Sequence, residues 1–281
     1  MTEWFIETIH RTVTQRLAMD PVVYREQTEH QDLVIFDNPV YGRVLALDGA
    51  VQTTTADEFV YHEMLVHVPL VGHGNAREVL IIGGGDGGTL RRCLAHPVER
   101  VTMVEIDRSV VDLCVKYLPE ISAGAFDDPR TDLVIGDGCR FVKDTDRRFD
   151  AVIVDSTDPI GPGAVLFTAE FFADCKRCLK PGGVLVNQGG VPWLQPDELR
   201  GFHGHMRGLF RDATAYAAPV PAYIGGLMAF GWASDDETLR LETVEGLAAR
   251  YAGHGLKTRY YSPAVHKAAF ALPPFIADLM R

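Results

Sequence analysis

Residues 79–90 read VLIIGGGDGGTL, a short apolar run that breaks into five glycines interrupted by one acid, Asp86. An apolar strand running into glycines and then into a helical stretch is how an α/β sheet brings bare backbone against a nucleotide-like ligand. The spacing G-x-G-x-x-G is met by Gly83, Gly85 and Gly88. Alone, that pattern describes a loop for NAD or a glycine-rich turn with no ligand equally well. Asp86 narrows the choice. A pyrophosphate cradle presents N–H groups and a helix N-terminus, and a carboxylate inside it repels the phosphates. The loop is therefore suited to a cationic ligand.

From Arg77 onward, apolar β-like runs alternate with helical stretches, in the order EVLII, RVTMVE, DLVIGD, FDAVIVD and GVLVNQ. That alternation predicts an α/β fold with a mostly parallel, doubly wound sheet. The runs end on or just before Asp86, Glu105, Asp137, Asp155 and Gln188. One or two such acids serve as helix caps, but ligands of open α/β sheets bind outside these strand ends, and the full set marks a binding edge. Glu105 stands where an acid accepts the ribose hydroxyls, a feature common to NAD and adenosyl-sulfonium sites. Asp137-Gly138 reads equally as an adenine-edge contact or as a simple turn. The fourth run continues into DSTDPIGPG over residues 155–163. Asp155 and Asp158 on this Pro- and Gly-stiffened loop are either solvated or face one pocket, with Ser156 and Thr157 as hydrogen-bonding neighbours. Together with Asp86 they would line a slot for a diamine, whose ammonium groups are three-donor cations best held by charged acceptors.

Before residue 60 the chain alternates instead of spiralling, in VVYREQ, DLVIFDN and GRVLALDGAVQTT, with turn signals at Asp37-Asn38-Pro39, Tyr41-Gly42 and Asp48-Gly49. We therefore divide the chain into a small antiparallel β-domain over 1–60 and a Rossmann-like domain over 61–281. TADEFVYHEMLVHVPL spaces its apolar residues at helical intervals and is expected to end near Pro69, delivering Tyr61 and His62 to the domain boundary. PWLQPDELRGFHGHMRGLF and DETLRLETVEGLAARYA each read as one helix. The uncharged stretch 213–234 is long enough to span a bilayer, but Pro219, Pro221 and its glycines break it into buried strands with a turn.

Thirty-eight acids against 27 lysines and arginines give a net charge of −11, which argues against a nucleic-acid groove and suits a cationic small molecule or plain solubility. The five cysteines form no disulfide framework. Cys175 and Cys178 make a C-x-x-C with no second pair at zinc spacing, and FFADCKRCLK reads as a helix with two packed thiols. The N-terminus carries acids and has no long apolar core, so it is not a secretory signal, and a cytoplasmic protein is expected.

VLIIGGGDGG, MVEID, GDG, DSTDPIGP, LDGAVQTT, DEFVYHEM and RYYSPAVHKAAFALP together resemble the polyamine aminopropyltransferases, and most closely the bacterial spermidine synthases. The resemblance runs from Gln31 almost to the C-terminus. It implies a β-domain followed by a methyltransferase-like Rossmann domain, and transfer of an aminopropyl group from decarboxylated S-adenosylmethionine to putrescine. By that likeness Gln31, Glu105, Asp137, Gly138 and Pro162 hold the methylthioadenosine part, and His62 and Asp86 the amine of the transferred group. Tyr61, Ser156, Asp158, Gln188 and Tyr223 line the diamine slot, Asp155 accepts the proton, and Trp4 caps the distal end. The family pattern varies at Ser156 and His62, neither of them a carboxylate. It further implies a homodimer or homotetramer acting on small-molecule polyamines, with no permanently bound cofactor and no metal, nucleic-acid or membrane partner.

The charges give this reading a physical reason. The decarboxylated donor keeps an amine and lacks the carboxylate of ordinary S-adenosylmethionine, so an acid in the glycine loop favours the first and repels the second. The sulfonium is already an activated leaving group, leaving the protein to align nitrogen, carbon and sulfur and to remove a proton. With an amine near ~10.4 and an aspartate near ~3.9, full transfer beforehand is uphill by about 9 kcal/mol. Asp155 is thus expected to take the proton as the C–N bond forms, or to relay it to water. The rivals are a methyltransferase on the same fold, a nicotinamide oxidoreductase and a non-catalytic polyamine-binding protein. The acceptor, whether putrescine, cadaverine, agmatine or spermidine, is not set by spacing.

Overall fold

The computed structural model describes residues 2–158 and 161–281, the side chains of residues 161 and 162 excepted. It opens with a β-hairpin, β1 (Glu3–His10) against β2 (Val13–Met19). A four-stranded antiparallel meander follows, β3 (Val22–Gln27), β4 (Asp32–Asn38), β5 (Gly42–Leu47) and β6 (Ala50–Thr54), paired in chain order. Leu33, Ile35, Leu45 and Leu47 point to one face of this meander and are buried. That period of two is what the alternating sequence demanded.

Helix α1 spans Glu58–His73, and Pro69 lies inside it, so the helix does not end there as expected. Proline removes one backbone donor but its fixed φ is helical. Burial of Val68, Leu70 and Val71 around it outweighs the missing bond. The helix closes instead on Gly74, left-handed at φ 77°, whose N–H donates to the Leu70 carbonyl.

Five parallel strands then alternate with helices: β7 (Glu78–Gly83), α2 (Gly88–Leu94), β8 (Arg100–Glu105), α3 (Arg108–Tyr117), α4 (Pro119–Ser122), β9 (Thr131–Ile135), α5 (Gly138–Asp144), β10 (Phe149–Asp155), α6 (Ala169–Arg177) and β11 (Leu179–Gln188). Helix α7 (Pro196–Leu209) leads to β12 (Asp212–Pro219) and β13 (Leu227–Ser234). These two antiparallel strands complete a seven-stranded sheet of order β12-β13-β11-β10-β7-β8-β9. The 213–234 stretch is thus sheet, and no described helix is long and apolar enough to cross a membrane.

Successive residues of β7 face opposite layers. Val79 and Ile81 pack under α1 and α2, and Leu80 and Ile82 join Val142, Phe171 and Phe202 on the other side. A sheet covered on both faces needs such unbroken apolar runs. The stretch expected as one helix after Asp236 is two, α8 (Thr238–Leu241) and α9 (Val244–Gly253). Glu242 is extended, and the Thr243 side chain caps α9 by accepting from Gly246 N. The chain ends with α10 (Pro263–Ala269) and α11 (Pro274–Ala277). Cys175 lies within α6, but Cys178 has left it, and both are buried, the Cys178 thiol donating to the Val142 carbonyl.

The sheet runs outward from β7 to β8 and β9 on one side, and to β10 and β11 on the other. The carboxyl ends of β7 and β10 therefore flank the topological switch point, where ligands of open α/β sheets bind.

Candidate active site

At that switch point Asp155 pairs in register with Gly83. Gly83 has φ 84°, and a Cβ there would stand 2.2 Å from the Asp155 carbonyl oxygen. On Gly84, at φ 79°, a Cβ would come within 2.9 Å of Asp155 Oδ2. These glycines make room for one of the protein's own acids, a use the sequence reading, which assigned them to ligand approach, did not anticipate.

Asp155 is fixed at both oxygens. The Tyr61 hydroxyl of α1 donates to Oδ1 at 2.7 Å and the Thr89 hydroxyl of α2 to Oδ2 at 2.6 Å. Burial, with the charge of Asp86 adding to it, raises the Asp155 carboxyl above the usual aspartate range, against the opposing pull of His62. Thr89 is fully buried, and its position just after the glycines was the only sequence cue to its part.

Asp86 accepts from Gly88 N at 2.8 Å through Oδ1 and faces His62 Nε2 at 3.4 Å through Oδ2. The His62 ring lies so close over the loop that a Cβ on Gly88 would be 2.2 to 2.5 Å from it. Gly88→Ala is expected to displace that ring and destabilise the fold by about 1–3 kcal/mol, the usual cost of overpacking, read as a fall in Tm without change in far-UV circular dichroism.

Glu105 ends β8, is 6% exposed and accepts from Asp107 N at 2.9 Å. Burial pushes it up to about 7. Asp137 caps α5 through Oδ1, accepting from Cys139 N and Arg140 N, which is the turn role its Asp-Gly pair allowed. Gly138 packs on Ile82, which a Cβ would approach to 2.5 Å. Gln31 reaches in from the β3–β4 turn, its amide donating to Asp107 Oδ2 at 3.2 Å.

A cavity of about 360 Å³ gathers Gln31, Tyr61, His62, Asp86, Glu105, Asp137, Gly138, Asp155, Ser156 and Tyr223 along its wall. Pro162, expected beside them, lies outside the described side chains. Two expected slot residues do not line it. Gln188 is 3% exposed and spent on backbone, donating to the Thr157 carbonyl and accepting from Gly190 N, so it braces the loop after Asp155. Asp158 instead accepts from Gln195 Nε2 at 2.8 Å. Trp4 is half exposed on the outer face of β1 and does not line the cavity. On the inner face of the same strand Glu7 is buried and accepts from Val51 N. Burial raises Glu7, and pushes Glu198 of α7 up to about 8, with the charge of Asp158 adding in both cases. The sequence reading missed Glu7 and Glu198. The two-residue period placing Glu7 on the side of Phe5 was its available signal.

This arrangement gathers Asp86, Glu105 and Asp137 around one cavity with Asp155, whose carboxylate is fixed at both oxygens. Residues 58–243 match the family model described as the spermine/spermidine synthase domain, and residues 3–55 match the spermidine synthase tetramerisation domain. The chain belongs to the polyamine aminopropyltransferase family. It is 56% identical over 275 residues to a polyamine aminopropyltransferase of Klebsiella pneumoniae, covering 98% of this chain and 96% of that one. A Serratia proteamaculans aminopropyltransferase is 54% identical over 278 residues, with 99% and 96% covered. Among solved structures, a spermidine synthase in complex with the transition-state analogue AdoDATO superposes with a TM-score of 0.93 at 37% identity, over 99% of this chain and 94% of that one. The Thermotoga maritima spermidine synthase gives 0.90 at 35%, with the same coverage.

Proposed function

We propose that this aminopropyltransferase uses decarboxylated S-adenosylmethionine and putrescine, giving spermidine and 5′-methylthioadenosine. The observation that carries the reading is Asp155, held by Tyr61 and Thr89 in the same cavity as Asp86 and Glu105. In this account Glu105 accepts the ribose hydroxyls, and Gln31, Asp137 and Gly138 enclose the rest of the nucleoside. Asp86 receives the donor's terminal ammonium. The acceptor lies against Tyr61 and Tyr223 with Ser156 beside it, while Asp158 and Gln188, which do not line the cavity, act through the loop after Asp155. Its nitrogen attacks the carbon bonded to sulfur, the C–S electron pair leaves on sulfur as a neutral thioether, and Asp155 takes the proton. The Asp86 and Asp155 side chains on the cavity wall support a cationic acceptor. Relative kcat/KM for putrescine, cadaverine, agmatine and spermidine tests this, with putrescine expected to lead; a preference for spermidine or agmatine would reassign the acceptor.

Glu105 supplies a pH signature. Burial lifts it to about 7 in the free protein, while bound ribose hydroxyls favour its charged form. Below that value donor binding must expel a proton, so affinity for 5′-methylthioadenosine is expected to tighten by up to about tenfold per pH unit from pH 5 to 7 and then level. Calorimetric titration measures it, and Glu105→Gln should flatten the dependence.

Oligomer formation follows the same reading. Trp4, Ile6 and Val13 expose large apolar side chains on the β1–β2 ribbon, which supports a homodimer or homotetramer built through the N-terminal region.

A further inference from the structure

His62 was expected to hold the donor's amine, yet both of its ring nitrogens are engaged by the protein. Nδ1 lies 2.8 Å from Glu58 Oε2, and Nε2 lies 3.4 Å from Asp86 Oδ2. The residue is only 2% exposed. A neutral imidazole has one N–H and one lone pair, so one carboxylate would face a lone pair; only the imidazolium donates to both. Glu58, one turn earlier on α1, is itself clamped by Arg91 Nη2 at 2.7 Å and Arg92 Nη2 at 3.3 Å, both from α2. Charges therefore alternate in a line, from the two arginines through Glu58 and His62 to Asp86 in the glycine loop.

We propose that Glu58, which does not line the cavity, is a positioning residue for donor selection: it fixes His62 as a donor on both sides and thereby holds the Asp86 carboxylate where the donor's ammonium docks. The inference rests on the aminopropyl-transfer reading and deepens it. The lining of the described cavity contains no lysine or arginine, so His62 supplies the compensating positive charge beside Asp86 and Asp155. Among the described residues, the titratable and charged groups around this line are Tyr61 and Glu63 from α1 itself, Asp86 from the glycine loop, Asp155 from β10, Arg91 and Arg92 from α2, Tyr223 from the β12–β13 connection, and Arg259 ahead of α10. Burial opposes a charge on His62, but Asp86 and Glu58 overcome it and push the ring up to about 10. Burial likewise opposes the Glu58 charge, but His62 and the arginines bring that carboxyl down to about 2. Two groups of opposite sign thus stay charged across the working pH range.

The test combines a side-chain ¹⁵N NMR titration of His62 with initial-rate kinetics on the full-length protein, Glu58→Gln and Glu58→Asp. In the unaltered protein both ring nitrogens should remain protonated past pH 9. In Glu58→Gln the ring should lose its proton about 1–3 pH units lower. The KM for the decarboxylated donor should then rise about tenfold at pH 9 and stay near its original value at pH 6, with kcat changed far less, and Glu58→Asp should recover part of the loss. A purely structural role would raise KM alike at every pH and leave the His62 titration unmoved, and that result overturns the proposal. So does a ring in the unaltered protein that deprotonates near its ordinary ~6.5. That single titration decides the matter should Glu58→Gln not fold. If the unaltered protein releases no methylthioadenosine, the transfer reading fails, while the NMR titration still judges the Glu58–His62–Asp86 line on its own.

Discussion

Asp155→Asn is expected to lower kcat by about 10²- to 10⁴-fold, the usual worth of a positioned base, with a much smaller change in donor KM. Asparagine keeps the size of the side chain but cannot take a proton. It also turns an NH₂ toward either Tyr61 or Thr89, each of which donates to a carboxylate oxygen now. On the proposed reading, the geometry lets so weak a base serve an amine. An ordinary aspartate and amine stand about 9 kcal/mol apart, but burial and the nearby Asp86 raise Asp155, narrowing that gap. Two hydroxyl donors aim the carboxylate, so the proton moves as positive charge builds on the attacking nitrogen. Because the base must be unprotonated, activity should fall as pH drops through the raised Asp155 titration, and Asp155→Asn should lose that limb. Initial rates of methylthioadenosine release measure both effects; an unchanged kcat would remove Asp155 from the chemistry.

Asp86→Asn is expected to raise the KM for the decarboxylated donor by about 10- to 100-fold, the worth of a hydrogen bond to a charged group of roughly 1.5–3 kcal/mol. Affinity for ordinary S-adenosylmethionine should hold or improve, because the carboxylate-to-carboxylate repulsion has gone. The ratio of the two affinities is the informative number. Asp86 sits in the glycine loop, and its partners among the described residues are Gly88 N and His62, so its loss should leave Glu105 and Asp137 untouched. Competitive inhibition by each donor gives the ratio, and an equal loss for both would show that Asp86 supports the loop without choosing the ligand.

Strand positions were legible because the sheet is covered on both faces, so that β7, β8 and β10 are largely apolar runs, the last two ending on acids and the first running into the glycines before Asp86. Those endings also exposed Asp86, Glu105 and Asp155, since sequence order alone puts each at a carboxyl edge. Boundaries set by tertiary context were not legible. Pro69 reads as a stop until the burial around it is known, and Thr243 reads as a helix interior residue until Glu242 is seen extended. Partners distant along the chain were equally hidden: the i,i+4 spacing of Glu58 and His62 is visible in DEFVYHEM, but not that the other ring nitrogen turns to Asp86, or that Gln188 spends its amide on Thr157. Glu7 went unnoticed because an isolated acid on an edge hairpin looks solvated, whereas the fold folds it inward against Val51.

The most direct measurement is product identification after incubating the purified protein with decarboxylated S-adenosylmethionine and putrescine, and separately with S-adenosylmethionine and putrescine. The account predicts spermidine and 5′-methylthioadenosine in equal amounts from the first mixture and no methylated amine from the second. Methylated product from the second, or tight polyamine binding with no methylthioadenosine from the first, would contradict it.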